Sequence, residues 1–293
     1  MMHALLAVAL AAAPQQQTTD TTFAVRPNGR LEIDNQSGRV MIRTWDENRV
    51  RIQARHGRRV ELDITREGST IHVEPEHRSG PTAVNFEITV PRSFNIEIDA
   101  ISTEIDVADL NGDVTAETVN GSITLAGIAG RIAASSVEGR LTIRDTRGNL
   151  QAETVNQGIE IRNHTGDVDA ETVNGALVLS GVRANVVSAE TVNGGVQYEG
   201  DIREGGRYYL GTHNGTITVI VPDGTNATVS VETYNGEIES DFPISLRGQV
   251  GKGDRMTFTI GNGGARLQLE SFGGIIQLRR PGNRTREPRR GGR

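Results

Sequence analysis

The sequence predicts an all-β fold, a single-stranded β-solenoid whose 18-residue rungs each consist of two nine-residue halves. Aliphatic residues recur every nine positions from Val114 to Val186. The residues two places after them alternate between alanine and a larger aliphatic residue, from Ala116 to Leu179, so the full period is 18 residues. Glycine, which accounts for 35 residues of the chain, recurs on the same spacing. Repeats of this kind are typical of stacked β-architectures.

Each half of a rung predicts one short strand. Nine residues that include a turn are too few for a stable helix, and apolar and polar residues alternate within them. The apolar side chains therefore point to one face of the strand, into a thin core. We expect the small Ala116 column to stand there across from the large Leu125 column, because small-against-large packing fills a thin core without voids.

A five-residue motif, Glu-Thr-Val-Asn-Gly, closes the first half of the rung. It begins at Glu117, returns in full or nearly so three times, and decays later in the chain. Asn-Gly readily adopts positive φ, so we expect a tight turn at this dipeptide. We expect the threonine hydroxyl to point inward at the corner. Stacking would place the asparagines in a turn ladder: Asn120, Asn156, Asn174, Asn193, Asn214 and Asn235.

An antiparallel meander is the alternative architecture. In a meander each Asn-Gly would close a hairpin between neighbouring strands. A meander requires only the apolar pattern, whereas stacked rungs also explain why the same polar residue returns every 18 positions. The sequence therefore favours the solenoid.

The chain divides into four predicted regions. The first 13 residues form a signal peptide, with an apolar run that ends in an Ala-x-Ala cleavage site. A linker follows over 14–22. The solenoid then covers 23–280: irregular N-terminal cap strands over 23–100, regular repeats over 101–200 and looser rungs over 201–280, in which Ala265 to Leu278 adds one last rung. An Arg-rich tail over 281–293 is predicted to be disordered.

Composition narrows the compartment and the chemistry. The signal peptide predicts export, to the periplasm or the cell surface, and no later apolar stretch is long enough to span a membrane. The chain has no cysteine, which excludes disulfides, thiolate catalysis and cysteine-based metal sites. Lys252 is its single lysine. Nucleic-acid binding is not expected of an acidic chain with a net charge of −6 that lacks aromatic stacking partners.

Two columns of outward positions form a possible interaction surface. We interpret the glutamates as a solvated acidic face that nearby arginines relieve. For the valines we favour a corner that rotates them into packing, while an exposed apolar stripe would instead mark a contact surface. The residues are Glu117, Glu153, Glu171, Glu190, Val119, Val155, Val173 and Val192.

The Arg-rich terminus is a second candidate site. A cationic tail can hold a protein to anionic lipid headgroups or to envelope polyanions by electrostatics alone. The alternative is an unconstrained terminus. The arginines concerned are Arg279, Arg280, Arg284, Arg286, Arg289, Arg290 and Arg293.

Catalytic, cofactor and metal residues are not predicted. Calcium-binding β-rolls need aspartate at a fixed place after the repeat glycine, but this chain has Asp113, Ser122 and Arg131 at successive places. A polysaccharide-active β-helix needs two carboxylates at a set separation, and none of the many here occupies a singular position that breaks the repeat. Such an enzyme and a cation-binding repeat module remain the alternatives to a non-catalytic scaffold.

Several motifs together resemble one known family. They are the segment from Gly38 to Asp46 (Gly-Arg-Val-x-Ile-x-x-Trp-Asp), the strand ends Val90-Pro91 and Val221-Pro222, and the repeated Thr-Val-Asn-Gly units. They resemble the bacterial DUF4097 "putative adhesin" family over about residues 22 to 280. The resemblance implies a β-strand-repeat protein without catalytic residues. We therefore expect an envelope-associated scaffold or adhesin-like binding surface, whose partner is an envelope protein or a glycan.

Overall fold

The computed structural model describes residues 16–77, 83–243 and 255–282. Within these ranges the chain forms 24 strands and no helix. The strands are β1 (Gln16–Ala24), β2 (Arg30–Trp45), β3 (Arg49–Gly57), β4 (Val60–Glu67), β5 (Thr70–His77), β6 (Ala83–Pro91), β7 (Asn95–Ala108), β8 (Val114–Thr118), β9 (Ile123–Ala126), β10 (Ile132–Ser136), β11 (Leu141–Arg147), β12 (Leu150–Thr154), β13 (Ile159–Thr165), β14 (Val168–Thr172), β15 (Leu177–Val182), β16 (Val186–Asn193), β17 (Val196–Gly200), β18 (Arg207–Asn214), β19 (Ile217–Ile220), β20 (Ala227–Thr233), β21 (Ile238–Ser240), β22 (Arg255–Ile260), β23 (Ala265–Ser271) and β24 (Ile276–Arg279).

The regular part of the chain consists of two parallel ladders. Even-numbered strands from β8 to β18 pair with one another in order, and odd-numbered strands from β9 to β19 do the same. Val114 lies beside Ile132, and Ile132 beside Leu150, so partners are 18 residues apart. The all-β prediction is confirmed. The meander alternative is wrong for these repeats, because their strands pair in parallel.

The core follows the predicted alternation. Ala116 and Ala134 in the first ladder, and Leu125 and Ile143 in the second, are at most 3% exposed. They belong to one continuous cluster of buried apolar side chains that runs through the stack. Alanine on one strand and a larger aliphatic residue on the next keep the core thin and filled.

Both ends of the stack depart from chain order. At the N-terminal end, the long strand β2 pairs in parallel with β7 on one side and with β5 and β6 on the other. At the C-terminal end, β23 lies between β18 and β20, and β24 lies between β19 and β21. The expectation that Ala265 to Leu278 adds the last rung is therefore wrong: this segment is inserted beneath an earlier one.

Antiparallel strands close the two ends. At the N-terminal end β1 pairs with β3, β3 with β6 and β4 with β5, and at the C-terminal end β22 pairs with β20. The predicted linker over 14–22 is wrong from residue 16 onward, because Gln16 to Ala24 pair in register with Gly57 to Arg49. The strand escaped notice because its alternating residues are mainly threonine and glutamine. The predicted signal peptide and residues 283–293 of the tail lie outside the described residues.

Candidate functional site

The corner after the first half of each rung is fixed by a column of buried hydroxyls. Thr154 donates from Oγ1 to the carbonyl of Gly139 at 3.0 Å, Thr172 to that of Gln157 at 2.8 Å. Thr191 and Thr212 repeat the bond. These threonines are 5–6% exposed, so the inward orientation expected from the sequence is correct. Each hydroxyl ties one rung to the preceding one and holds the residues on either side of it outward.

The glycine of the motif is required by close stacking rather than by its conformation. Neither Asn120 nor Gly121 has positive φ, so the prediction of a positive-φ Asn-Gly turn is wrong. Instead, a Cβ atom at Gly139 would overlap the carbonyl oxygen of Gly121 in the neighbouring rung. Positive φ occurs at the opposite corner, where Asp145 and Asn163 stack.

Four of the predicted asparagines form a hydrogen-bonded ladder. Asn174 donates from Nδ2 to Oδ1 of Asn156 at 3.0 Å, and Asn193 donates to Asn174 at 2.9 Å. Asn214 continues the ladder by donating to Asn193 at 3.0 Å. The foot of the ladder is Glu138, whose carboxylate accepts a bond of 2.7 Å from Asn156. The two other asparagines of the predicted ladder, Asn120 and Asn235, occupy equivalent turns and bond through their backbone N–H.

The motif valines are exposed and belong to a longer stripe, which we call the apolar ridge. The interpretation that the corner rotates them into packing is wrong, because Val119 is 43% and Val155 38% exposed. The strand geometry simply continues one residue beyond the buried threonine. In order along the stack the ridge consists of Ile101, Val119, Val137, Val155, Val173, Val192, His213, Phe272 and Tyr234.

The ridge gathers the exposed hydrophobic surface of the protein. All eight large hydrophobic residues that are strongly exposed in the described ranges lie on it. Its last three members are rings that stack face to face. Phe272 lies 4.6 Å from His213 and 5.1 Å from Tyr234, measured between ring centroids. With strands about 4.8 Å apart, nine members make a ridge about 38 Å long.

An acidic column runs parallel to the ridge on the other side of the buried threonines. Strand register aligns its members Asp34, Asp99, Glu117, Glu153, Glu171, Glu190, Glu270 and Glu232, interrupted by Ser135 and Gly211. The four predicted glutamates are all in it. At the Gly211 interruption Tyr209 covers the gap and donates from its hydroxyl to Glu270 at 3.1 Å.

Charge in the middle of the column is not neutralised within the described structure. Glu117, Glu153, Glu171 and Glu190 make no ion pair with any described residue, so the expectation that arginines relieve them is wrong. Burial raises the pKa of Glu171, and the charges of Asp169, Glu190 and Glu153 raise it further. Burial likewise raises the pKa of Asp99, with Asp34 and Glu97 as the neighbouring charges.

The protein's own basic groups lie at the two ends of the column. Near its C-terminal end Arg255 bonds Glu232 at 2.9 Å and Glu270 at 3.4 Å. Near its N-terminal end Nε2 of His72 is 3.4 Å from Asp34. Asp34, His72 and Glu74 could supply ligand atoms within 4.8 Å of one another, but nothing further in the described structure distinguishes this group from an exposed ion-pair network.

A continuous shallow groove separates the ridge from the acidic column, and we call it the Glu–Val groove. Its floor is the backbone of the buried threonine column. Three depressions follow one another along it, and they overlap at Ser135 and Val137 and again at Glu190 and Thr191. One wall is thus apolar and the other anionic along the length of the stack.

Two arginines of the predicted tail belong to the folded part. Arg279 is the last residue of β24 and forms ion pairs with Glu239 and Asp241. The backbone N–H of Arg280 bonds the Asp241 carboxylate at 3.0 Å. The tail prediction is therefore wrong for this pair, and the five later arginines lie outside the described residues. No helix in the described ranges has the length and hydropathy to cross a membrane.

Comparison with known proteins places the chain in one family. The chain is similar to solved structures of a "putative adhesin" from Bacteroides fragilis (10% identity, 90% of this chain and 98% of the other, TM-score 0.45) and a "putative adhesin" from Parabacteroides distasonis (9%, 89% and 97%, 0.41). It is also similar to a "putative cell adhesion protein" from Clostridium sporogenes (12%, 90% and 100%, 0.23). No curated protein matches. The family model of Toastrack DUF4097 matches residues 28–279, which confirms the resemblance seen in the sequence: the chain belongs to the DUF4097 family.

Proposed function

We propose that this protein is a non-catalytic, exported binding scaffold that holds a partner in the Glu–Val groove. The observation that carries the proposal is the collection of strongly exposed hydrophobic residues into one ridge. Scattered exposed hydrophobic residues are ordinary, whereas a contiguous apolar patch rimmed by polar groups is typical of an interaction surface. The parallel pairing of residues 18 positions apart supports a solenoid as the rigid body that displays it.

The carboxylates support binding rather than hydrolysis. Glycosidases place their two catalytic carboxyl groups about 5–10 Å apart across the scissile bond. Asp99 and Glu171, whose carboxyl pKa values are raised, are four rungs apart, or about 19 Å at the usual strand spacing. The other column members repeat at each rung without a distinct partner. A repeated, open groove suits an elongated ligand better than a single cleavage point.

Export rests on the N-terminal sequence. The apolar run from Leu5 to Ala13 and its Ala-x-Ala end support a cleaved signal peptide, and a periplasmic or surface location follows from it. Fractionation of cells that express the full chain, beside a chain lacking residues 1–13, tests this part. We expect the full chain outside the cytoplasm and the shortened chain inside it. A full chain that stays cytoplasmic and uncleaved would refute export without bearing on the groove.

Binding through the groove is tested with a matched pair of substitutions. Val173→Arg places a bulky charge on the apolar ridge, and Val178→Arg places the same charge on an outward position of the second ladder. The immobilised full chain is exposed to envelope extract. We expect a partner that the wild type and Val178→Arg retain and that Val173→Arg loses. Equal retention by all three chains would show that the ridge is not the binding surface.

A further inference from the structure

The Glu–Val groove makes two different demands on whatever fills it. Val137, Val155 and Val173 present a strip of branched aliphatic side chains, and Glu153 and Glu171 run beside them as an anionic strip. Both strips continue in the same direction over many rungs. A ligand that satisfies both must be elongated, with an apolar edge and a cationic edge side by side.

Arg255 shows how the acidic column holds a cation. Its guanidinium bridges Glu232 and Glu270, which are column members on adjacent strands. This bridging geometry spans one strand spacing and is available again between Glu153 and Glu171 and between Glu171 and Glu190. At those pairs no described side chain supplies the cation. The ends of the column are thus served from within the protein, and its middle is open.

The chemistry of the groove excludes several classes of occupant. Nucleic acid and anionic lipid carry the same sign of charge as the column and are repelled. Sugars favour aromatic faces, yet the rings of the ridge are confined to His213, Phe272 and Tyr234 at one end. A simple polycation would satisfy the glutamates and leave the valines exposed. A second copy of the chain would bring a second acidic column with it.

The spacing of the ridge selects a helix. Ridge members follow one another at about 4.8 Å, the separation of neighbouring strands. An α-helix presents one residue of a given face per turn of about 5.4 Å, and so keeps nearly in step over several rungs. An extended chain repeats a face only about every 6.8 Å and falls out of step after little more than one rung. Helices bind grooves in this way through anchors three or four residues apart.

We propose that the Glu–Val groove binds a basic amphipathic helix of a partner polypeptide, with the helix lying along the stack, its apolar edge on Val137, Val155 and Val173 and its Lys or Arg edge on Glu153, Glu171 and Glu190. This inference rests on the proposed binding function and specifies the chemistry of the ligand. It also predicts that binding weakens with salt, because the column contributes through exposed charges.

The test uses a synthetic helical peptide of about 18 residues, or about 27 Å, with leucines along one edge and lysines along the next. Two control peptides replace the lysines with glutamates or shuffle the same residues so that no amphipathic edge remains. Binding to the full chain is measured by fluorescence anisotropy at low and moderate salt. The groove variant is Glu153→Gln with Glu171→Gln. The matched variant, Glu160→Gln with Glu199→Gln, makes the same change in net charge on the second ladder.

We expect the amphipathic peptide to bind the wild type and the matched variant alike and the groove variant about tenfold or more weakly, which is a difference that anisotropy resolves easily. Neither control peptide should bind comparably. Equal binding of the shuffled peptide, or an equal loss in both variants, would overturn the proposal, because attraction would then depend on net charge alone. Self-association that Val173→Arg abolishes would make a second copy the occupant and overturn it as well.

Failure of this inference is distinguishable from failure of the proposed function. If the peptide does not bind but Val173→Arg still loses an envelope partner that Val178→Arg retains, the groove is a binding site and the ligand class is wrong. If neither the peptide nor any extract component depends on the ridge, both proposals fall.

Discussion

Phe272 stacks on His213 with ring centroids 4.6 Å apart because the last rung of the chain is inserted into the stack rather than added to its end. Phe272 follows β23, which pairs with β18 on one side and β20 on the other. Tyr234, which follows β20, therefore meets Phe272 and not His213. The aromatic end of the apolar ridge exists only in this out-of-order arrangement, so the binding surface and the closing of the stack depend on the same strands.

Removal of the inserted rung should cost far more than one rung of structure. A chain ending at residue 264 lacks β23 and β24, which leaves β20 and β21 without their parallel partners and exposes the edges of β18 and β19. We expect the whole region beyond β19 to unfold, seen as a lower urea midpoint and a smaller m-value, which scales with the surface exposed on unfolding. A chain ending at Gly282 is the control and should unfold as the full chain does. A loss limited to the deleted residues would argue against the insertion.

Sequence periodicity was sufficient to predict the repeat but not the order of the rungs at the ends. The spacing from Val114 to Val186 fixes which residues stack, because equivalent residues must pair when each rung follows the last. Nothing local in Ala265 to Leu278 distinguishes a rung that caps the stack from one that slips between two others. That choice depends on long-range pairing, and the looser spacing over 201–280 was its only trace.

The ridge could have been extended from the sequence. Tyr234 and Phe272 stand in decayed copies of the motif at the place of its valine, and Val137 stands there in Ser135-Ser136-Val137. Strict alternation places that residue outward once threonine is inward. The mistaken step was to assume that the corner begins at the valine. Hydroxyl bonds such as that from Thr154 to Gly139 hold the strand geometry one residue longer, and no sequence pattern reports them.

Gly139 should not tolerate a side chain. A Cβ atom there would overlap the carbonyl oxygen of Gly121, and both atoms belong to packed backbone that cannot move aside cheaply. We expect Gly139→Ala to destabilise the protein by about 3 kcal/mol, as overpacking of a rigid interior does. Gly57→Ala is the matched control, because a Cβ atom there meets nothing within 4 Å and the residue has no positive φ. Equal midpoints of urea unfolding for the two variants would contradict the stacking argument.

The asparagine ladder should contribute modestly to stability. Asn174 both donates to Asn156 and accepts from Asn193, so Asn174→Ala removes two side-chain hydrogen bonds. Because the ladder is exposed and water replaces the lost partners, we expect a loss of about 1–2 kcal/mol in the free energy of unfolding. Asn120→Ala removes the same group from an equivalent turn where the described structure has no side-chain hydrogen bond, and it should be nearly neutral. An equal loss at both positions would attribute the effect to the turn and not to the ladder.

Stability should fall between about pH 7 and pH 5 because of His164. Its ring is buried, its Nδ1 lies 2.9 Å from Oγ1 of Thr146, and burial lowers the pKa of the imidazole below its ordinary value of 6.5, against the backbone of Asp167 and Gly148. The unfolded chain therefore binds a proton near pH 6.5 while the folded chain resists it. Stability that is present above that pH is lost as the pH falls. The measurement is the free energy of unfolding at several pH values in this window.

The variant Thr146→Val with His164→Ile separates this effect from other titrating groups. Ile128 and Val182 fill the same buried column in neighbouring rungs, so an apolar pair fits its pattern. Replacing both partners also avoids leaving a buried hydroxyl unpaired. We expect the variant to lose less stability than the wild type between pH 7 and pH 5, and to differ little from it at pH 8. Parallel curves for the two chains would show that His164 does not titrate against folding, and the pH dependence would then have to arise from other groups.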